Sequence, residues 1–152
     1  MKLAEALSRR AALMEKVQQL KTRLLDCIKV QEGDEPVETP QTVVAELEST
    51  LSELQQLIYR INITNSRTVV DGRSITSLLA ERDVMTMRTR TLGDALGRLT
   101  ETEGRYSRNE IKNVRTVDTA EFRRLYDKSA SMRREFDLKI QEIGWTTDLI
   151  EE

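Results

Sequence analysis

Apolar residues recur at spacings of three and four along most of this chain, the signature of amphipathic helices. In the first segment Leu3, Leu7, Met14, Val17, Leu20, Leu24 and Ile28 share one side, with Arg10 and Lys21 interrupting the seam and a heptad flavour to the spacing. In the second, Val44, Leu47, Leu51, Leu54, Ile58 and Ile61 repeat without a miss. In the third, Ile75, Leu78, Met85, Leu92, Leu96 and Leu99 carry the pattern, with Arg82 and Thr89 at the remaining seam positions. In the fourth, Phe122, Leu125, Met132, Phe136, Ile140 and Ile143 form the expected core line. Helices are therefore predicted over about 2–30, 42–61, 75–100 and 119–143.

The breaks between them are local chemistry. The stretch 31–41 holds Gly33, Pro36 and Pro40 among acids and reads as a loop. Thr39 before Pro40 is a good helix start, Thr as N-cap and Pro at the first helical position. The connection 62–73 is rich in Asn, Thr and β-branched residues and closes on Asp71-Gly72, which predicts an extended arm ending in a turn, with Ser74 as a cap. The connection 101–117 is a second such arm, and Arg67-Thr68-Val69 recurs in it as Arg115-Thr116-Val117. Asp118 and Glu121 have capping-box spacing before the fourth helix, which Gly144 is expected to end. Gly93 and Gly97 share a face four residues apart, which suits a close approach or simple tolerance. The prediction is one all-α domain over 1–152, an antiparallel four-helix bundle of long helices with two short extended, β-capable arms.

Composition narrows the function. Of the 152 residues, 33% are charged and 4% aromatic, which fits long charged helices with an aliphatic seam. The net charge of -2 argues for neither a polyanion nor a membrane partner. No Lys or Arg occurs between Val30 and Tyr59, so an acidic face is expected to meet a basic one, within the fold or between subunits. With no histidine and one cysteine, Cys27, a His base, a Ser-His or Cys-His pair, an intrachain disulfide and the usual zinc or iron ligand sets are excluded. No P-loop or EF-hand pattern is present. The N-terminal segment has no apolar leader and no stretch approaches a membrane span, which leaves the cytoplasm as the expected location. The bases of the last helix, Arg123, Arg124, Lys128, Arg133, Arg134 and Lys139, alternate with acids and have no aromatic platform, so no nucleic-acid partner is expected.

Several ordered motifs carry a family resemblance. They are Arg60-Ile61-Asn62 with Thr64-Asn65, Gly72, Leu79-Ala80-Glu81-Arg82-Asp83, Arg105-Tyr106-Ser107-Arg108, Glu110-Ile111-Lys112, Val117-Asp118, and Arg134-Glu135 through Glu142 with Trp145. In this order they resemble a small uncharacterised bacterial family often labelled septicolysin-like. The resemblance implies a helical-bundle subunit of a homo-oligomer, a hexameric ring among the options. The family pattern has Asn before the Trp, where this chain has Gly144. A cytolysin's amphipathic pore hairpin is not visible in the pattern.

The polar residues that helix periodicity leaves unexplained are Asn62, Asn65, Arg67, Arg105, Tyr106, Arg108, Glu110, Lys112 and Arg115. Together with Arg82 on the third seam and Trp145 in the tail, they are the candidate interface or ligand contacts. No catalytic, cofactor-binding or metal-ligating set is nominated. The reading is a non-enzymatic structural or interaction protein whose partner is a second copy of itself. Its alternative is a small-ligand or anion-binding protein, or an enzyme of uncharacterised type, using the polar residues of the two arms. Arg67, Arg108 and Arg115 are expected to meet a neighbour's acidic second helix.

Overall fold

The computed structural model describes residues 1–102 and 111–151. It is all-α, with four long helices and one small antiparallel strand pair. The helices are α1 (Leu3–Ile28), α2 (Pro40–Arg67), α3 (Ile75–Thr100) and α4 (Thr119–Thr146); the strands are β1 (Val69–Val70) and β2 (Arg73–Ser74). The chain forms two compact units, one of residues 1–75 with 142–152 and one of residues 76–141.

In the first unit α1 and α2 form an antiparallel hairpin. The order of cross-helix contacts shows it, since Arg9 meets Glu53 while Lys16 meets Glu46. A line of buried positions recurs every seventh residue: Ala6, Leu13, Leu20 and Cys27 on α1, and Val43, Thr50, Leu57 and Thr64 on α2, with Leu3 and Ile61 buried beside it. Leu20, Cys27 and Val43 pack together, with Leu24 and Leu47 against them. This line lies one residue off the seam that the sequence suggested for much of its length. The reason is size: closely approaching helices favour small side chains at the contact, and Ala6, Cys27, Thr50 and Thr64 supply them. The larger Leu7, Met14, Val44, Leu51 and Ile58 stand on the flank and remain 36–54% exposed.

Helix α2 does not stop at Ile61. It runs through Asn62, Asn65 and Ser66 to Arg67, so the first half of the expected arm is helical. Burial of Thr64 overrides local propensity there. Its hydroxyl donates to the Arg60 carbonyl at 2.8 Å and accepts the Ile150 N–H at 2.9 Å. Only 68–74 is extended, and β1 pairs with β2 in the register Val69↔Ser74 and Val70↔Arg73. Asp71 and Gly72 both have positive φ, 51° and 77°, as a two-residue hairpin of primed type requires.

The tail closes the first unit. Residues 147–150 run antiparallel to residues 1–3, with Leu3 N–H on the Thr147 carbonyl at 2.9 Å and Leu149 N–H on the Met1 carbonyl at 2.8 Å. Lys2 Nζ meets Asp148 at 2.8 Å and holds that carboxyl below its usual range. Gly144 does not end α4, which continues to Thr146. It is buried beside Ala4 of α1.

In the second unit α3 and α4 are also antiparallel. Thr89 and Ser129 share a buried hydroxyl–hydroxyl hydrogen bond of 2.8 Å, and Gly93 faces the Tyr126 ring. A Cβ at Gly93 would stand 3.2 Å from Tyr126 Cε2, so this glycine serves a close approach; Gly97 faces open space. Asp118 caps α4 by accepting the Glu121 N–H at 2.9 Å.

Candidate functional site

The α1/α2 hairpin has two unlike edges. With the buried line placed between the helices, positions three residues further on fall to one side of it, and positions four and one further on fall to the other. The first edge is a ladder of ion pairs. Arg9 Nε donates to Glu53 at 2.7 Å, Lys16 meets Glu46 at 3.0 Å, and Arg23 bridges Glu46 at 3.0 Å and Glu38. The hydrogen bonds from Arg23 hold the Glu38 carboxyl below its usual range. Those from Lys16 and then Arg23 do the same for Glu46, and both glutamates push Arg23 upward. The acidic second helix is thus met by the first helix of its own chain. Its Glu46 and Glu53, and Glu38 just before it, are engaged within the chain, so the acidic face meets a basic one inside the fold.

The opposite edge is apolar and open. Leu3, Val17 and Leu24 on α1 and Leu47, Leu54 and Ile61 on α2 line its floor, joined by half-buried Arg10. Beyond them Leu7, Met14 and Ile28 stand beside Val44, Leu51 and Ile58, all partly exposed. Lys21 continues the α1 row and Glu48 borders the α2 row, both exposed. The floor is fully covered only at Leu3 and Ile61, the end where the tail crosses with buried Ile143 and Leu149.

Of the sequence-derived site residues that are described, Asn62, Asn65, Arg67 and Trp145 belong to the first unit and Arg82, Lys112 and Arg115 to the second. Asn62, Asn65 and Arg67 belong to the last turns of α2, while Trp145 is 61% exposed in the last turn of α4. Arg82 turns its guanidinium to the adjacent Asp83 at 2.9 Å with its stem partly covered, as a paired seam arginine does. Lys112 is exposed, and Arg115 Nε donates to the Leu99 carbonyl at 3.1 Å, satisfying an end carbonyl of α3. Arg105, Tyr106, Arg108 and Glu110 lie outside the described residues. A cavity of about 780 Å³ opens beside Arg98, Leu99, Arg115, Val117 and Phe122. Arg98 there is paired with Glu101, and Arg115 is committed to the Leu99 carbonyl. Among the described residues no cluster of three or more potential metal ligands occurs, and no helix is long and apolar enough to cross a membrane.

Residues 10–149 match a family of unknown function, DUF6847. The chain belongs to this family. A crystal structure of a functionally unknown conserved protein from Corynebacterium diphtheriae is similar at 39% identity, covering 99% of each chain with a TM-score of 0.91. No curated protein matches. The septicolysin-like label suggested by the motifs finds no support in these relatives, both of which are of unknown function. For this member of DUF6847 the informative residues are ones the motif reading passed over. Arg9, Lys16 and Arg23 recur every seventh residue on α1, and Glu46 and Glu53 do so on α2. That matched spacing was the readable signal for a charged edge, and hence for an apolar edge opposite it.

Proposed function

We propose that this DUF6847 chain is a non-enzymatic structural or interaction protein, acting in the cytoplasm as the protomer of a homo-oligomer. The observation that carries this reading is the open apolar edge of α1/α2. Isolated exposed apolar side chains are ordinary, but a row recurring at seven-residue spacing on two adjacent helices is half of a helix–helix interface. Water against such a row is unfavourable by about 25 cal/mol per Å² of apolar surface, which a partner's matching row removes. The absence of histidine supports a role without catalysis. Light scattering coupled to size exclusion at micromolar concentration tests it. A mass that is a defined multiple of 17.5 kDa is expected; 17.5 kDa at every concentration up to about 1 mM sinks the reading.

A further inference from the structure

Resting on that reading, we infer that the partner docked on the open α1/α2 edge is the same edge of a second copy, related by a two-fold axis parallel to the helices.

The size of the edge fits. From Leu7 to Ile28 it extends about 33 Å at 1.5 Å per residue. Two helices side by side make it about 20 Å wide. The face is then about 650 Å² per partner, or about 1,300 Å² in total, inside the range of stable specific interfaces.

Charge selects the occupant and the symmetry. Apart from Arg10, the charges on this edge are Lys21 on the α1 row and Glu48 on the α2 border, and neither enters the ion-pair ladder. The rest of the rim is Ala11, Gln18 and Leu25 on α1, and Gln55 and Asn62 on α2. A strongly charged partner finds nothing to pair with there. The axial register is set by Lys16 meeting Glu46 and by Leu20 and Cys27 both packing on Val43. In that register Lys21 stands near the level of Val44, about one turn from Glu48. A two-fold axis along the helices lays α1 of one copy against α2 of the other at the same level, antiparallel. Each Lys21 then stands opposite the other copy's Val44, with Glu48 about one turn along and within reach of the long lysine side chain; Met14 faces Leu51, and Arg10 comes level with Gln55, whose amide oxygen accepts. The two hairpins form an intermolecular four-helix arrangement in which every helix is antiparallel to its neighbours. A perpendicular axis would instead set α1 against α1 and leave Lys21 without an acid. The assembly built this way contains an even number of copies.

The test uses the full chain, with mass measured by light scattering and sedimentation over a concentration series and folding checked by circular dichroism. The wild type is expected to give an even-numbered assembly, and Leu51→Asp to lower its mass while remaining helical. Lys21→Glu and Glu48→Lys should each weaken association at least about tenfold, and the double exchange should restore it. Because both positions are exposed, these variants decide the matter even if Leu51→Asp fails to fold. An oligomer indifferent to Leu51→Asp in its folded form, an odd-numbered assembly, or single exchanges that the double does not rescue overturns this surface while leaving the homo-oligomer standing. A wild-type monomer overturns both.

Discussion

The two hairpins are built from helices of the same lengths, 26 and 28 residues, yet they are held together differently. Between α1 and α2 the buried line is mainly aliphatic, an ion-pair ladder fixes its register, and the tail straps one end. Between α3 and α4 the midpoint of the contact is polar, Thr89 on Ser129, beside a hollow of about 250 Å³ lined by Met85, Leu125 and Met132. The first pair draws its stability from close packing. In the second a hydrogen bond stands where an aliphatic contact would be, and the hollow beside it is bordered by exposed Arg88 and Lys128. The two hairpins should therefore respond to different substitutions.

The largest separation should come from truncating the aliphatic lines. Leu20 is fully buried among tightly packed neighbours, so Leu20→Ala is expected to destabilise by about 2–5 kcal/mol, toward the upper end because the site cannot collapse. Leu96 is also buried but belongs to the less filled α3/α4 pair, and Leu96→Ala should fall at the lower end of the same range. Urea unfolding of both variants measures the difference. Equal losses would mean that the two contacts are equally packed.

The hydroxyls sharpen the same contrast at a smaller scale. Thr64→Val removes the acceptor of the Ile150 N–H and should cost about 1–3 kcal/mol, with faster hydrogen exchange at that amide as the tail loosens. Thr89→Val leaves the Ser129 hydroxyl buried without its partner and should cost a similar amount. Adding Ser129→Ala removes the stranded group, so the double variant should recover most of the loss. Failure of that recovery would show that the pair acts through packing and not through its hydrogen bond.

How far the sequence foretold this arrangement depends on whether the cause is local. The starts of α2, α3 and α4 were legible because caps and turns are local chemistry: Pro40 after Thr39, Asp71-Gly72 before Ile75, and Asp118 reaching Glu121. The overrun of α2 past Ile61 was not, since it depends on Thr64 bonding to Ile150, 86 residues away. The same holds for α4, whose Gly144 lies against Ala4. The core line was read from the largest apolar side chains, which marks the wide apolar sector correctly and misplaces its centre. Small residues (Ala6, Cys27, Thr50 and Thr64) share that centre with leucines, and size at a contact is a property of two helices, not of one. For the same reason residues taken as core, such as Met14 and Leu51, stand on an open edge.

The smallest predicted effect concerns the ladder. Glu38 is held low chiefly by its hydrogen bonds from Arg23, and Glu46 chiefly by Lys16 and then Arg23. Their folded values lie below those of the unfolded chain. The unfolded state therefore binds more protons across that window, and the ladder's contribution is fully present above the ordinary glutamate range. It is lost as pH falls through the depressed folded values, not as pH rises. Because these side chains are more than a third exposed, solvent and salt screen the effect, and it should shrink when salt is raised from about 0.05 to about 0.5 M. Urea midpoints measured from pH 7 down to about pH 3 check the sign. Glu38→Gln with Glu46→Gln should flatten the acid limb without altering the neutral plateau's slope. An acid limb unchanged by those substitutions would assign the loss to other carboxylates, with Asp148, held low by Lys2, the next to replace.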